Sequence, residues 1–138
     1  MAEEKDLQMH ERNEAVAQKE REVKTTKVVA DYLRKLGMPA HLKGYRYARD
    51  AITLILLNPD KDYMITKELY PEVAKKNKTT GSRVERAIRN AIEVAWERGE
   101  KDFIQEIFGS TVSSEKGKPT NSEFMAQLAE DISIKSLI

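Results

Sequence analysis

The stretch from Ser82 to Trp96, SRVERAIRNAIEVAW, constrains this chain more than any other. Apolar side chains recurring at about 100° per residue mark an amphipathic helix. Here Val84, Ala87, Ile88, Ala91, Ile92, Val94 and Ala95 share one side, and Arg83, Glu85, Arg86, Arg89 and Asn90 share the other. Arg and Asn grip guanine and adenine edges with two hydrogen bonds, and Glu accepts from the cytosine amine. The pattern predicts a DNA recognition helix, with those five residues as its base-contacting candidates. Glu85 has a second explanation, because it stands three residues after Ser82 and completes a capping box with it.

Bulk charge does not announce a nucleic-acid partner, since the 138 residues carry a net charge of only +1. The distribution does. Lys75, Lys76, Lys78, Arg83, Arg86 and Arg89 face a single acid, Glu85, between positions 75 and 89. A local basic patch is the electrostatic footprint of DNA binding. A lone charge run is more often an ordinary solvated face. The apolar back of the helix, the polar turn before it and the Arg-Glu-Arg spacing favour the DNA reading.

The chain contains 40% hydrophobic and 34% charged residues, which suits one compact domain with a small core. It has no cysteine, so disulfides, cysteine nucleophiles and thiolate zinc sites are excluded. No apolar run approaches the roughly 20 residues needed to span a bilayer. The N-terminal residues lack the apolar core of a secretion signal. A cytoplasmic location is expected.

Residues 1–23 are charge-dense, and only Leu7, Met9, Val16 and Val23 could make an apolar stripe. These four do not hold a heptad. The segment reads as a solvated helical extension or linker that can run on into the next helix, with an oligomerising coiled coil as the alternative. An effector domain is expected over 24–138. Thr25 to Leu36 is a helix with Val28, Val29, Tyr32, Leu33 and Leu36 inward, capped by Gly37. A second helix is expected over about 42–57. Thr66 is the expected cap of a third, reaching Lys76, with Pro71 either kinking it or shifting its start. Ser82 is the expected N-cap of the fourth, which Gly99 closes. A short fifth helix is expected from Asp102 to Phe108. Thr120 and Glu123 form a capping box for the last, which runs to about Ile134. The fold class is all-α, about six helices containing a helix-turn-helix.

The third and fourth helices form that motif. Ala74 is a small residue where they cross, and Val73, Val84 and Ile88 fill the corner. In a helix-turn-helix the second helix enters the major groove, and residues near its start reach the bases. Lys78, Thr79, Thr80 and Ser82 stand beside the free N–H groups of that start, where phosphate binds. Lys118 is a further phosphate candidate. Lys78 replaces the glycine usual in such a turn. Trp96, at the border of the two faces, is expected to be a core or flank residue.

The segments PAHLKGYRYARDAI (39–52), ITKELYPEVAKK (65–76), TTGSRVERAIRNAIEVAWERG (79–99) and GKPTNSEFMAQLAE (117–130) are long and specific. They closely resemble the C-terminal DNA-binding effector domains of the stage-zero sporulation protein A family, response regulators that launch endospore formation. The resemblance implies a six-helix domain that reads a box with a TGTCGAA-like core. It implies copies bound head-to-tail as a tandem dimer on double-stranded DNA. It implies both activation and repression, with activation through the sigma subunit of RNA polymerase. Family base-reading positions fall on Arg83, Glu85 and Arg86, with Arg89 close by. The polymerase-contacting stretch falls on Gly99 through Val112, including Gln105, Phe108 and Ser110. Core packing against the last helix is the competing role for Phe108. Asn90 stands where the family usually has histidine, and Gly81 where alanine or proline is common, so a shifted operator preference is expected. The family's phosphoacceptor aspartate belongs to a receiver domain outside these 138 residues.

An enzyme is not expected. His10 and His41, the only histidines, lack partners at ligand or triad spacing, and no glycine-rich phosphate loop occurs. No cofactor or metal is expected. The remaining alternative is a helical protein-interaction module, such as an anti-activator, using the same basic face.

Overall fold

The computed structural model describes residues 2–109 and 117–135. Among them every regular element is helical. In chain order these are α1 (Ala2–Lys35), α2 (Lys43–Leu57), a single π-helical turn (Ile65–Leu69), α3 (Tyr70–Lys76), α4 (Gly81–Arg98), α5 (Lys101–Phe108) and α6 (Asn121–Ile134). The architecture is all-α. One helix crosses the boundary expected near Val23, because nothing in the sequence there breaks it. Its first two-thirds is exposed, and it enters the body of the protein at Thr25, Val29 and Leu33.

Helix α1 ends as the Gly37 signal requires. Gly37 has φ of 90°, its N–H reaches Arg34 O at 2.9 Å, and Met38 N–H reaches Leu33 O at 3.0 Å. This pair of bonds is a Schellman motif, which satisfies carbonyls the helix end leaves free. Helix α2 lies in the centre of the molecule. It crosses α4 at Gly44, where an added Cβ would stand 2.0 Å from Ala87 O and 2.7 Å from Ala91 Cβ. Only hydrogen fits there, so backbone meets backbone and the rest of both apolar faces closes over the crossing. Ala48, Ala51 and Ile52 of α2, Val84, Ile88 and Ile92 of α4, and Phe124 and Leu128 of α6 are almost wholly buried.

Helix α5 starts at Lys101, one residue before the expected Asp102, and folds under the end of α1 and along α6. Phe103 contacts the Tyr32 ring at 5.8 Å. Phe108 stacks on Phe124 at 5.5 Å, and Trp96 meets it edge-on at 5.1 Å. Aromatic contacts of this kind stabilise beyond the area they bury. Tyr32 OH donates to Asp131 Oδ2 at 3.0 Å, tying α1 to α6. The Thr120–Glu123 capping box forms at the start of α6.

Two expectations about helix starts are corrected. Thr66 does not cap a third helix. The chain instead makes a π turn in which Leu69 N–H bonds Met64 O at 3.1 Å. Regular helix then begins at Tyr70 with Pro71 in its first turn, where a missing N–H costs nothing. Pro71 has shifted the start rather than kinked the helix. Ser82 is not the cap of α4. Thr80 is, with extended backbone and its hydroxyl accepting from Arg83 N–H at 3.3 Å. Ser82 lies inside the first turn. Glu85 therefore completes no capping box; its carboxylate pairs with Arg89 at 3.2 Å. Both threonine and serine cap well, and here the chain begins the helix one turn-residue pair earlier.

Candidate nucleic-acid interface

The turn between α3 and α4 sets the aim of the basic helix, and three interactions fix it. First, α3 ends in another Schellman motif, with Thr79 N–H on Ala74 O at 2.9 Å and Lys78 N–H on Lys75 O at 3.4 Å. Lys78 holds the left-handed position with φ of 54°. A residue with a Cβ is strained there by about 1–2 kcal/mol, so the lysine has taken over the glycine's conformation as well as its place. Second, Asn77 Nδ2 donates to Asp50 Oδ2 and to Val73 O, both at 2.9 Å. Asp50 is 5% exposed and also faces Arg49 at 3.4 Å and Lys76 at 3.7 Å. A buried carboxylate needs such partners, and here they bind the turn to α2. Third, Asn121 Nδ2 reaches Tyr70 OH at 3.1 Å and Glu85 O at 2.9 Å, locking α6 to both α3 and α4.

The helix so held shows two faces. Val84, Ile88, Ala91, Ile92 and Ala95 are buried, and so are Val73 and Ala74 of α3. Arg83, Arg86, Arg89 and Asn90 are exposed together on the other side, with Glu85 half-buried at its edge. Among the described residues neither Arg83 nor Arg86 makes an ion pair. Arg89 is held by Glu85. The order, the short turn and the packed crossing of α3 and α4 fit a helix-turn-helix. Lys78, Thr80 and Ser82 are exposed around the start of α4, and Thr79 is half-buried.

A cleft of about 800 Å³ runs beside this front, between the π turn, α4 and the start of α6. Lys118 stands on its rim, where its Nζ bonds Glu93 Oε1 at 2.8 Å. That hydrogen bond, with the ammonium charge, holds the Glu93 carboxyl below its ordinary range. Lys118 is thus a paired cation rather than a free one. Burial pushes the Tyr70 phenol above its ordinary value, against the effect of the Asn121 hydrogen bond.

The stretch expected to meet polymerase divides. Gln105 is exposed on α5. Phe108 is 1% exposed, so its side chain has no surface to offer a partner and serves the core instead. Gly99 sits in a close approach, since a Cβ there would meet Leu36 O at 2.0 Å. Ser110 and Val112 lie outside the described residues. Trp96 packs at the flank, edge-on to Phe108 and Phe124.

Asp50, Asn77 and Asn121 escaped the reading of the sequence. Each acts through a partner on another element, and no local pattern marks such a partner. Among the described residues no group of histidines and carboxylates is placed to hold a metal ion, and no helix is long and apolar enough to cross a membrane.

A family model described as "Sporulation initiation factor Spo0A C terminal" matches residues 29–132, which include all of α2 to α5 and most of α6. The exposed basic front of α4 therefore lies at the heart of a matched domain, and the chain belongs to this family of DNA-binding effector domains of sporulation regulators.

Proposed function

We propose that the chain regulates transcription by laying α4 in the major groove of double-stranded DNA. Arg83 and Arg86 read bases, joined by Glu85, Arg89 and Asn90, while Lys78, Thr79, Thr80, Ser82 and Lys118 hold flanking phosphates. The observation that carries this reading is a pair of exposed guanidinium groups, Arg83 and Arg86, that make no ion pair among the described residues and stand at the start of a helix whose back is buried and whose turn is fixed. The Glu85–Arg89 pair supports a division of labour, with Glu85 orienting Arg89 until a base competes for either group. Lys118 must leave Glu93, or share it, to reach a phosphate.

The resemblance to sporulation regulators supports a box with a TGTCGAA-like core, tandem head-to-tail occupancy, and both activation and repression. Activation runs through the sigma subunit of RNA polymerase, met by exposed positions of α5 such as Gln105 and by the chain following it. Binding of a TGTCGAA-containing duplex and of a scrambled duplex, titrated with salt, tests the reading. Neutralising several phosphates makes log affinity fall linearly with log salt, and the box must be preferred throughout. Equal affinity for both duplexes contradicts sequence reading, and no binding to either leaves the basic face to a protein partner.

A further inference from the structure

Helix α1 carries a second apolar face that is exposed among the described residues. Residues 2–21 are all exposed, yet they belong to one continuous helix with the buried Thr25, Val29 and Leu33. Leu7, Met9, Val16 and Val23 are each more than half exposed and make up most of the large apolar side chains on the described surface. At 3.6 residues per turn, Leu7 lies directly above Thr25, on the line that leads into the core. Met9, Val16 and Val23 do not. They follow one another at intervals of seven, and Val23 is about 200° around the helix from Thr25. The irregularity of the four residues thus comes from Leu7 alone; the other three form a straight exposed seam, whose line meets the body of the protein only at the half-buried Ala30, seven residues on.

Two helices wind together on apolar residues at two positions of each seven-residue repeat, and Met9, Val16 and Val23 supply one of the two. A projecting helix without tertiary contacts is marginal in water, so a partner along this seam also stabilises α1 itself. Charge selects the partner and its direction. Positions 3–14 hold Glu3, Glu4, Asp6, Glu11 and Glu14 against Lys5 and Arg12; positions 15–27 hold Lys19, Arg21, Lys24 and Lys27 against Glu20 and Glu22. Two parallel copies set acid on acid and base on base. Two antiparallel copies pivoting at Val16 set the acidic half of each along the basic half of the other. Met9 then faces Val23 of the second copy, Val16 faces itself and Arg12 faces Glu20, while Lys5 and Lys27 meet as a like-charged pair at each end of the seam.

We propose that Met9, Val16 and Val23 form the seam of a two-fold, antiparallel helix pair between two copies of this chain, formed without DNA. Its contact is the same patch on both copies, unlike a head-to-tail arrangement. Met9, Val16 and Val23 lie on a different line of α1 from the buried Thr25, Val29 and Leu33, so the proposed contact uses none of these core residues.

Sedimentation velocity of the full chain from about 1 µM to about 1 mM spans the range of such a weak contact. The expected result is a reversible shift from monomer to dimer. Val16→Glu sets two like charges at the pivot and is expected to weaken association at least tenfold without loss of helix by circular dichroism. Arg12→Glu is expected to weaken it as well, and adding Glu20→Arg to restore it. The natural chain lacks cysteine, so single-cysteine variants report direction. Val16→Cys is expected to form a disulfide-linked dimer on mild oxidation, and Met9→Cys to form none. A monomer at every concentration, a Val16→Glu variant that associates as well as the parent, or linkage of Met9→Cys as fast as Val16→Cys overturns the proposal.

Discussion

Asn77 Nδ2 stands 2.9 Å from Asp50 Oδ2, joining the turn before the basic helix to a buried carboxylate on α2. The same nitrogen also meets Val73 O at 2.9 Å. Truncation in Asn77→Ala leaves both acceptors short of a donor, and a lost hydrogen bond to a buried charged group costs about 1.5–3 kcal/mol. Urea denaturation is expected to show that loss. DNA affinity is expected to fall as well, because the aim of α4 depends on the turn. Unchanged stability indicates that Lys76 and Arg49 satisfy Asp50 alone.

Lys78 separates stability from binding. Its φ of 54° is a conformation that glycine adopts freely. Lys78→Gly is expected to stabilise the fold by up to about 1 kcal/mol, the lower end of the strain on a side chain in that conformation. It is expected at the same time to weaken box and scrambled DNA alike and to lower the salt slope by about one. Lys78→Ala keeps the strain and loses the charge, so it shows the second effect without the first. Affinity lost only on the box indicates that Lys78 reads bases.

Gly44 is the tightest point between α2 and α4. Gly44→Ala forces a Cβ to 2.0 Å from Ala87 O, which backbone alone can relieve. Overpacking of a core costs about 1–3 kcal/mol and at times more. A clear drop in melting temperature is expected, and a neutral result contradicts the crossing described here.

Tyr70 gives the fold an alkaline limit. Burial raises its folded pKa above the ordinary value of 10.0. The unfolded chain thus gives up this proton at lower pH than the folded chain. The stability it contributes is fully present below about pH 10 and is lost as pH rises through the folded value. Tyr70→Phe is expected to flatten that alkaline fall in stability, measured by denaturation midpoints on either side of about pH 10. An identical slope in parent and variant contradicts the assignment.

Local signals were legible in the sequence. The two faces of α4, the glycine cap at Gly37 and the Thr120–Glu123 box each depend on residues a few positions apart. The burial of Ala74 accords with its small size. Competing local signals were harder. Thr80 and Ser82 both suit a cap, and the choice of Thr80 depends on where the Schellman turn at Lys78 delivers the chain. The π turn at Ile65–Leu69 follows from Pro71, which requires the regular helix to start late. The ties of Asp50 to Asn77 and of Asn121 to Glu85 span 27 and 36 residues, and only the folded chain brings them together. Phe108 illustrates the same limit, since a large apolar residue ending a short helix fits the core or a partner equally well until Phe124 is seen beneath it.

Arg83 and Arg86 carry the proposed sequence reading most directly. A competition gel shift compares the parent chain with Arg83→Ala and Arg86→Ala, using labelled box DNA and unlabelled box or scrambled competitor at fixed salt. A two-bond contact to a base is worth about 1–3 kcal/mol of discrimination, so each variant is expected to lose roughly 5- to 150-fold of its preference for the box while retaining salt-dependent binding. Full discrimination in both variants contradicts the claim that α4 reads DNA through these residues.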